Sequence, residues 1–247
     1  MHLFGLIGYP LSHSLSRDYF LDKFKNEGVE DADYQLFPVK SIDELPALLR
    51  QHPHLVGFNV TLPYKQAIIS CLQSLSPEAE QIGSVNVVKV QSVNGSFSLK
   101  GYNTDYIGFK ESLRDLNLSS AHSAIILGKG GAAKAVAYAL SELSIACRFV
   151  SRVPHNDEEL SYSQLTSDIL SSHQLIVNAT PVGMQGVGGD LSFPYELLSS
   201  NHILYDLIYA PAETEFLRQG RLHGCVTKNG LEMLYLQADA SWRIWNE

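Results

Sequence analysis

The run Ala124-Ile-Ile-Leu127, followed at once by Gly128-Lys-Gly-Gly-Ala-Ala133, constrains the fold more than any other stretch of this 247-residue chain. Four consecutive apolar residues ending in a glycine turn read as a strand buried on both faces. Gly128, Gly130 and Ala133 fit the spacing G-x-G-x-x-G/A, and a helix of small residues follows to about Leu143. Glycines allow the tight turn and let backbone N–H groups approach a pyrophosphate at the helix N-terminus, where the dipole favours negative charge. A second apolar strand, Cys147–Val150, completes the β-α-β unit, which sets the match apart from an ordinary strand–helix turn and predicts a dinucleotide site. An NAD enzyme usually carries Asp or Glu at the end of that second strand. This chain has Val150-Ser151-Arg152 instead. A guanidinium there can stack on adenine and pair with a 2′-phosphate, so NADP is the expected cofactor; the alternative is Arg152 as a solvated loop residue. Asp157 to Glu159 arrive too late for the usual carboxylate position, which leaves them at most a displaced NAD contact.

Apolar runs alternate with amphipathic helical patterns along the whole chain, the signature of an α/β protein with mostly parallel strands. Strands are expected at His2–Ile7, Asp33–Val39, Val56–Val60 (Gly57 to Leu62 reading as strand, with Val60 and Leu62 fit for a core), Ser84–Val90, Leu175–Asn178, Ile203–Leu207 and Gly224–Thr227, with a hairpin across Asn94-Gly95 to Phe97–Lys100. Helices are expected over Arg17–Asn26, closed by Gly28, over Ile42–Gln51, from near Lys65, over Asp105–Leu116 and over Gly230–Trp245. Ser41-Ile-Asp-Glu44 is a capping box, in which serine and glutamate satisfy each other's orphan N–H groups. Two α/β units meet near residues 101 to 123, around the polar stretch Asn117–Ser123.

Hydrophobic residues make up 45% of the chain and charged residues 18%, enough apolar side chain for a substantial core. A net charge of −8 argues against a nucleic-acid partner. The N-terminal MHLFGLIGYP lacks a basic leader and has a short apolar run, so no secretory signal is expected, and no stretch has the apolar length of a membrane span. Cys71, Cys147 and Cys225 are odd in number and far apart, which fits reduced, mostly buried thiols in a cytoplasmic protein. Nine histidines form no H-E-x-x-H and no Cys/His cluster, and His52 and His54 merely flank Pro53 in a turn; no metal site is expected.

The first half places polar residues at strand ends and helix starts. Ser12-His-Ser14-Leu-Ser16 precedes the first helix, Asn59-Val-Thr61-Leu-Pro-Tyr-Lys65 ends a strand, Ser84-Val-Asn86 opens another, and Asn103-Thr-Asp105 starts a helix. Serine hydroxyls at a helix N-terminus make a ready carboxylate site, though serine is also a common plain N-cap. Asn86 and Asp105 read equally as turn and cap residues. Lys65 follows Pro63 at the carboxyl end of a strand, where open α/β sheets hold their ligands, and reads either as a solvated turn charge or as a catalytic acid/base.

Taken together, Gly8-Tyr-Pro-Leu-Ser-His-Ser-Leu-Ser16, Asn59-Val-Thr-Leu-Pro-Tyr-Lys65, Gly83-Ser-Val-Asn86, Asn103-Thr-Asp105, Gly128-Lys-Gly-Gly-Ala132, Asn178-Ala-Thr-Pro-Val-Gly-Met184 and Asn229-Gly-Leu-Glu-Met-Leu234…Gln237 resemble the shikimate dehydrogenase family, in order and over nearly the whole chain. The resemblance implies NADPH-dependent reduction of 3-dehydroshikimate to shikimate in the route to aromatic amino acids. It implies an N-terminal α/β substrate domain over 1–104, a Rossmann-like NADP-binding domain over 105–229, and a C-terminal helix, 230–247, returning to the first. By the same resemblance Lys65 and Asp105 form the catalytic pair; Ser14 and Ser16 hold the substrate carboxylate; Thr61, Asn86 and Gln237 help bind the substrate, which Tyr209 borders. Gly128, Lys129, Gly130, Gly131, Ala132, Ser151 and Arg152 line the nucleotide, and Thr180, Leu207 and Gly230 fall near its nicotinamide end. The expected ligands are thus small molecules, with the protein a monomer or homodimer.

Reducing a ketone puts negative charge on its oxygen as hydride arrives, so a cationic N–H donor beside it stabilises the transition state and supplies the proton. With Asp105 to orient its ammonium, Lys65 is then the acid/base and not a turn charge. The chain departs from the family at several places. Lys129 stands where alanine is common and either touches phosphate or points to solvent. Val87 replaces a frequent threonine. His155 and Asn156 stand where a second basic residue is common, which weakens a 2′-phosphate clamp. The competing readings are a quinate/shikimate dehydrogenase with mixed NAD/NADP use and a non-catalytic NADP or shikimate sensor. Retention of both Lys65 and Asp105 counts against the sensor, since a binder needs no proton-transfer pair.

Overall fold

The computed structural model describes residues 1–11, 14–93, 96–118, 123–156 and 159–247, with only the backbone described at 92, 93 and 96. Ser12, His13, the Asn94-Gly95 turn, residues 119–122 of the polar stretch, Asp157 and Glu158 lie outside the described residues. The chain divides into two compact units, Met1–Ile107 with Gln237–Glu247, and Gly108–Leu236.

In the first unit, β1 (His2–Gly8), α1 (Ser16–Glu27), β2 (Ala32–Pro38), α2 (Leu45–Gln51), β3 (Leu55–Val60), the short β4 (Ser74–Leu75), α3 (Pro77–Ile82), β5 (Val87–Val93) and β6 (Ser96–Tyr102) follow in chain order. The sheet order is β2-β1-β3-β5-β6-β4. β1 runs parallel to β2 and β3, whereas β5 is antiparallel to both β3 and β6. One face packs on Leu45, Leu48, Leu49, Tyr64 and Ile68. The other carries an aromatic cluster of Phe4, Phe20, Phe24 and Tyr34 with Trp242 and Trp245. Aromatic groups of this size bury more apolar area per residue than any other side chain, so this cluster is what ties the end of the chain onto the first sheet. Gly57 makes the docking possible: the Trp245 indole lies 2.4 Å from where a Cβ would stand, and its Nε1 donates to the Val88 carbonyl at 3.1 Å.

Several elements differ from the sequence expectation. β3 ends at Val60, and Leu62 is 53% exposed rather than part of the core. Pro63 cannot donate to a ladder, and the chain turns there through Tyr64 N–H to Thr61 C=O; Tyr64 is the side chain that buries instead, with its hydroxyl on the Val39 carbonyl at 2.8 Å. The helix expected from near Lys65 is a 3₁₀ segment, Ala67–Cys71. β5 starts at Val87, not Ser84, because Ser84 to Asn86 form the approach to the sheet edge. Ile42–Glu44 is 3₁₀ before α2, with the Ser41/Glu44 capping box in place. Only Cys225 is buried; Cys71 and Cys147 are half-buried.

The second unit continues with α4 (Asp105–Ser112), which begins in the first, then β7 (Ser123–Leu127), α5 (Gly131–Glu142), β8 (Ala146–Val150), α6 (Ser167–Ser172), β9 (Leu175–Asn178), β10 (Ile203–Asp206), α7 (Glu215–Leu222), β11 (Val226–Lys228) and α8 (Leu231–Asn246), whose last turns belong to the first unit. α4 stops four residues before the expected Leu116. Ser112 turns its hydroxyl back onto the Phe109 carbonyl and meets the Tyr205 hydroxyl, both at 2.7 Å. All five strands are parallel, in the order β11-β10-β9-β7-β8. The chain therefore reverses winding direction beside β7, between β8 on one side and β9 on the other. In doubly wound sheets that reversal point is where ligands bind.

Candidate active site

Strand directions bring the polar stretches of the first unit to one edge of its sheet. β1 and β3 end there, antiparallel β5 begins there, since Asn59 lies opposite Val87, and β6 ends there, since Val87 lies opposite Tyr102. The segments after β1, after β3, before β5 and after β6 carry Ser14 and Ser16, Thr61 and Lys65, Asn86, and Asp105 respectively.

Lys65 Nζ donates to Asp105 Oδ2 at 2.5 Å, with side chains 16% and 7% exposed. Asp105 Oδ1 accepts from Asn86 Nδ2 at 2.9 Å. The same amide reaches Thr104 Oγ1 at 2.9 Å and Gln237 Oε1 at 3.2 Å, while Asn86 Oδ1 accepts from the Thr104 N–H at 2.6 Å. An amide has two N–H donors, so these acceptors share them. Thr104 Oγ1 meets Ser241 Oγ at 3.1 Å, Asn59 Nδ2 donates to Ser241 Oγ at 3.0 Å, and the Tyr34 hydroxyl donates to Asn59 Oδ1 at 2.8 Å. Tyr34 is wholly buried, which pushes its phenol well up, partly offset by the nearby Ser16 side chain. A continuous chain of hydrogen bonds thus joins Tyr34 to Lys65. In the sequence, Asn59 and Thr104 stand inside motifs without a role of their own, and Tyr34 and Ser241 are missed altogether. Nothing in their neighbours along the chain marks those two.

The N-cap of α1 is Leu15, without a side-chain bond, and Ser16 is the first residue of the helix. Ser14 Oγ accepts from the Ser16 N–H at 3.2 Å, and both serines remain half-buried. Thr61 is half-buried in the turn after β3, its N–H on the Ile7 carbonyl at 2.9 Å.

The second unit forms its own cluster at the ends of β7, β8, β9 and β10. Gly128 has φ +99°, a value open to glycine, and a Cβ there would lie 3.0 Å from Thr180 Cγ2. Gly130 is the N-cap of α5 with no side-chain bond, and a Cβ there would meet nothing within 4 Å. Gly131 and Ala132 form the first turn of α5. Ser151 is buried at 7% exposure, yet its Oγ has no hydrogen-bond partner among the described residues. Arg152 beside it is exposed. An open glycine cradle at a helix N-terminus, next to an orphaned buried hydroxyl and an exposed guanidinium, fits a phosphorylated nucleotide. Lys129 does not point to solvent. Its Nζ donates to the Val153 carbonyl at 3.0 Å and pairs with Glu159 Oε2 at 3.2 Å.

Asp206 ties the remaining residues together, and nothing along the chain singles it out. Its fully buried carboxylate accepts from Asn178 Nδ2 at 3.0 Å, the Ile208 N–H at 3.0 Å and Thr214 Oγ1 at 2.5 Å. Burial pushes its carboxyl up to about 6, against the pull of those three donors. Asn178 Oδ1 in turn holds Thr180 through Oγ1 at 2.7 Å, and its carbonyl accepts from the Leu207 N–H at 3.0 Å. The Gly230 N–H bonds the Ile208 carbonyl at 3.1 Å, so close to Leu207 that a Cβ would fall 2.1 Å from its carbonyl oxygen. Tyr209 is half-buried in the loop after β10.

Residues 6–88 match the family profile described as the shikimate dehydrogenase substrate binding domain. A shikimate dehydrogenase (NADP(+)) of Crocosphaera subtropica is 38% identical over 98% of this chain and 90% of its own length. The crystal structure of a shikimate 5-dehydrogenase from Thermus thermophilus, in complex with NADP(H) and shikimate, is 32% identical with a TM-score of 0.83, covering 99% of this chain and 93% of that one. A quinate dehydrogenase from Corynebacterium glutamicum in complex with NAD shares the fold at a TM-score of 0.83 and 28% identity, over 99% and 93% of the two chains. With identity of this degree spanning almost its full length, and a lysine–aspartate pair set in a buried polar network, the chain belongs to the shikimate dehydrogenase family.

Proposed function

We propose that this protein is a cytoplasmic enzyme that reduces 3-dehydroshikimate to shikimate with NADPH, and that Lys65 is its proton donor. The observation that carries the reading is the Lys65–Asp105 pair, held at 2.5 Å and supported from behind by Asn86. With one carboxylate oxygen on the Asn86 amide and the other on the ammonium, Asp105 cannot turn, so the ammonium is held in one orientation, as a positioned proton donor requires.

Bound NADPH supplies the hydride. The protein's part is to bind, orient and donate. Ser14 and Ser16 offer hydroxyls to the substrate carboxylate. Thr61, Asn86 and Gln237 bind the ring hydroxyls. Lys65 Nζ keeps an N–H free of Asp105 for the carbonyl oxygen, stabilises the charge that develops there and delivers the proton. Asp105 positions the ammonium and balances its charge. The N–H groups of Gly128 to Ala132 would hold the pyrophosphate, Ser151 and Arg152 would take the adenosine 2′-phosphate, Thr180, Leu207 and Gly230 would border the nicotinamide end, and Tyr209 would border the substrate. We read 1–104 with 230–247 as the substrate part and 105–229 as the nucleotide part, in a monomer or homodimer that sedimentation will distinguish.

The test is loss of NADPH absorbance on adding 3-dehydroshikimate. Absence of turnover with intact ligand binding would return the protein to the class of sensors. The likeness to a quinate dehydrogenase bound to NAD supports a second reading, an enzyme of mixed substrate and cofactor use. Steady-state comparison of shikimate and quinate with NADP and NAD separates the two.

A further inference from the structure

The family's second basic residue after β8 is missing here, yet Lys129, on the turn after β7, reaches the loop that follows β8. β7 and β8 are neighbours in register, Leu127 opposite Val150, and the Gly128 N–H bonds the Val150 carbonyl at 2.8 Å. The residue after Gly128 therefore reaches the loop that begins with Ser151-Arg152. Lys129 Nζ sits 3.0 Å from the Val153 carbonyl, one residue beyond Arg152, and 3.2 Å from Glu159 Oε2. An ammonium has three donors, so two fixed contacts leave one unassigned. Glu159 is itself held, its Oε2 accepting from the His155 N–H at 3.0 Å. That amide and then Lys129 keep its carboxyl below the usual range, so it stands opposite the ammonium as a full negative charge.

We propose that Lys129 is the second cation of the 2′-phosphate clamp, and that Glu159, the carboxylate that anchors it, limits how strongly the clamp favours NADP over NAD. The inference rests on the dinucleotide reading given above. Arg152 and Lys129 follow adjacent strand ends, and the Val153 and Glu159 contacts hold the lysine against the loop after β8. The same Glu159 charge opposes a phosphate dianion arriving beside it. The arrangement trades selectivity for a fixed lysine.

Dissociation constants for NADP⁺ and NAD⁺, measured by calorimetry on the whole protein without substrate, test this. Lys129→Met keeps the apolar stem and removes the charge. Because the Lys129 side chain is 35% exposed, its loss should weaken NADP⁺ about tenfold, the low end for one charge-assisted contact, and leave NAD⁺ within about twofold. Glu159→Gln can still accept from the His155 N–H, and should tighten NADP⁺ by roughly twofold to fivefold with NAD⁺ unchanged. An unchanged NADP⁺/NAD⁺ ratio in Lys129→Met overturns the clamp, and an unchanged or lowered ratio in Glu159→Gln overturns the limiting role. Equal weakening of both nucleotides in Lys129→Met, with a normal melting temperature, also overturns it by making the lysine a general support of the turn. If the wild type binds neither nucleotide, the dinucleotide reading itself fails and the clamp with it. Normal NADP⁺ binding with an unmoved ratio defeats the clamp alone.

Discussion

Replacing Lys65 by methionine should separate the chemical role of the pair from any structural one. Methionine fills most of the lysine stem and carries no donor, so Asp105 keeps the Asn86 amide on Oδ1 at 2.9 Å but loses the ammonium from Oδ2. Breaking a buried ion pair by removing one partner commonly costs about 3–5 kcal/mol, because a charge is left buried and unpaired. Asp105 is 5% exposed, but Lys65's side chain retains 16%, so water can reach the vacated place and about 2–3 kcal/mol is expected. Turnover of 3-dehydroshikimate should fall by roughly 10²–10⁴, the range for removing a general acid, while substrate affinity stays within about tenfold because the proposed carboxylate contacts at Ser14 and Ser16 are untouched. The double variant Lys65→Met/Asp105→Asn removes the stranded charge and should recover most of the lost stability without recovering turnover. The assay pairs NADPH oxidation under saturating substrate with urea unfolding of both variants. Turnover near wild type in Lys65→Met, or turnover restored along with stability in the double variant, would refute the acid/base assignment.

Arg152→Ala should largely erase the preference for NADP, raising its Michaelis constant roughly tenfold to a hundredfold and changing NAD use little; an unmoved ratio of the two constants would show Arg152 to be a solvated loop residue. Ser14→Ala and Ser16→Ala should each raise the substrate Michaelis constant by about 1.5–3 kcal/mol of lost binding, and if both variants bind substrate normally but melt earlier, the serines serve only the fold. Asp206 yields a pH prediction. The folded state holds its proton up to about pH 6 while the unfolded chain releases it near 3.8, so the stability this group contributes is present in acid and is lost as pH rises through that window. At about 1.4 kcal/mol per pH unit the loss is about 3 kcal/mol, and Asp206→Asn, which mimics the protonated acid, should match wild type near pH 4 and exceed it by up to that amount near pH 7. Chemical denaturation at both pH values checks this, and equal pH dependence in the two proteins would contradict it.

What the chain determined locally is the part decided by neighbours in sequence. Ala124–Leu127 with Gly128, Gly130 and Ala133 can scarcely be anything but a buried strand, a tight turn and a helix, because each residue's conformational preference agrees with the next. Gly28 closes α1 at φ 69°, and Ser41 with Glu44 caps the following turn, for the same reason. Lys65, Asn86 and Asp105 were legible as residue types suited to proton transfer and its support, but as a site only through the family's ordered motifs. Composition and spacing left each open as a cap or turn residue.

The tertiary structure alone decided which distant groups meet. Asn59, Thr104 and Ser241 join Tyr34 to Lys65 only because β1 and β3 end where antiparallel β5 begins, and because the aromatic cluster draws the last turns of α8 onto that sheet. Lys129 looked free to reach phosphate or solvent, and pairing of β7 with β8 committed it to Glu159, thirty residues on. Leu62 looked like core and became surface, since the turn at Pro63 gave that place to Tyr64. Asp206 is one acid among many in the sequence, and only the approach of the loops after β9 and β10 surrounds it with three donors. Hydrogen bonds and ion pairs between remote residues carry almost no local signal, because their energy depends on burial and register that exist only after the sheets have formed.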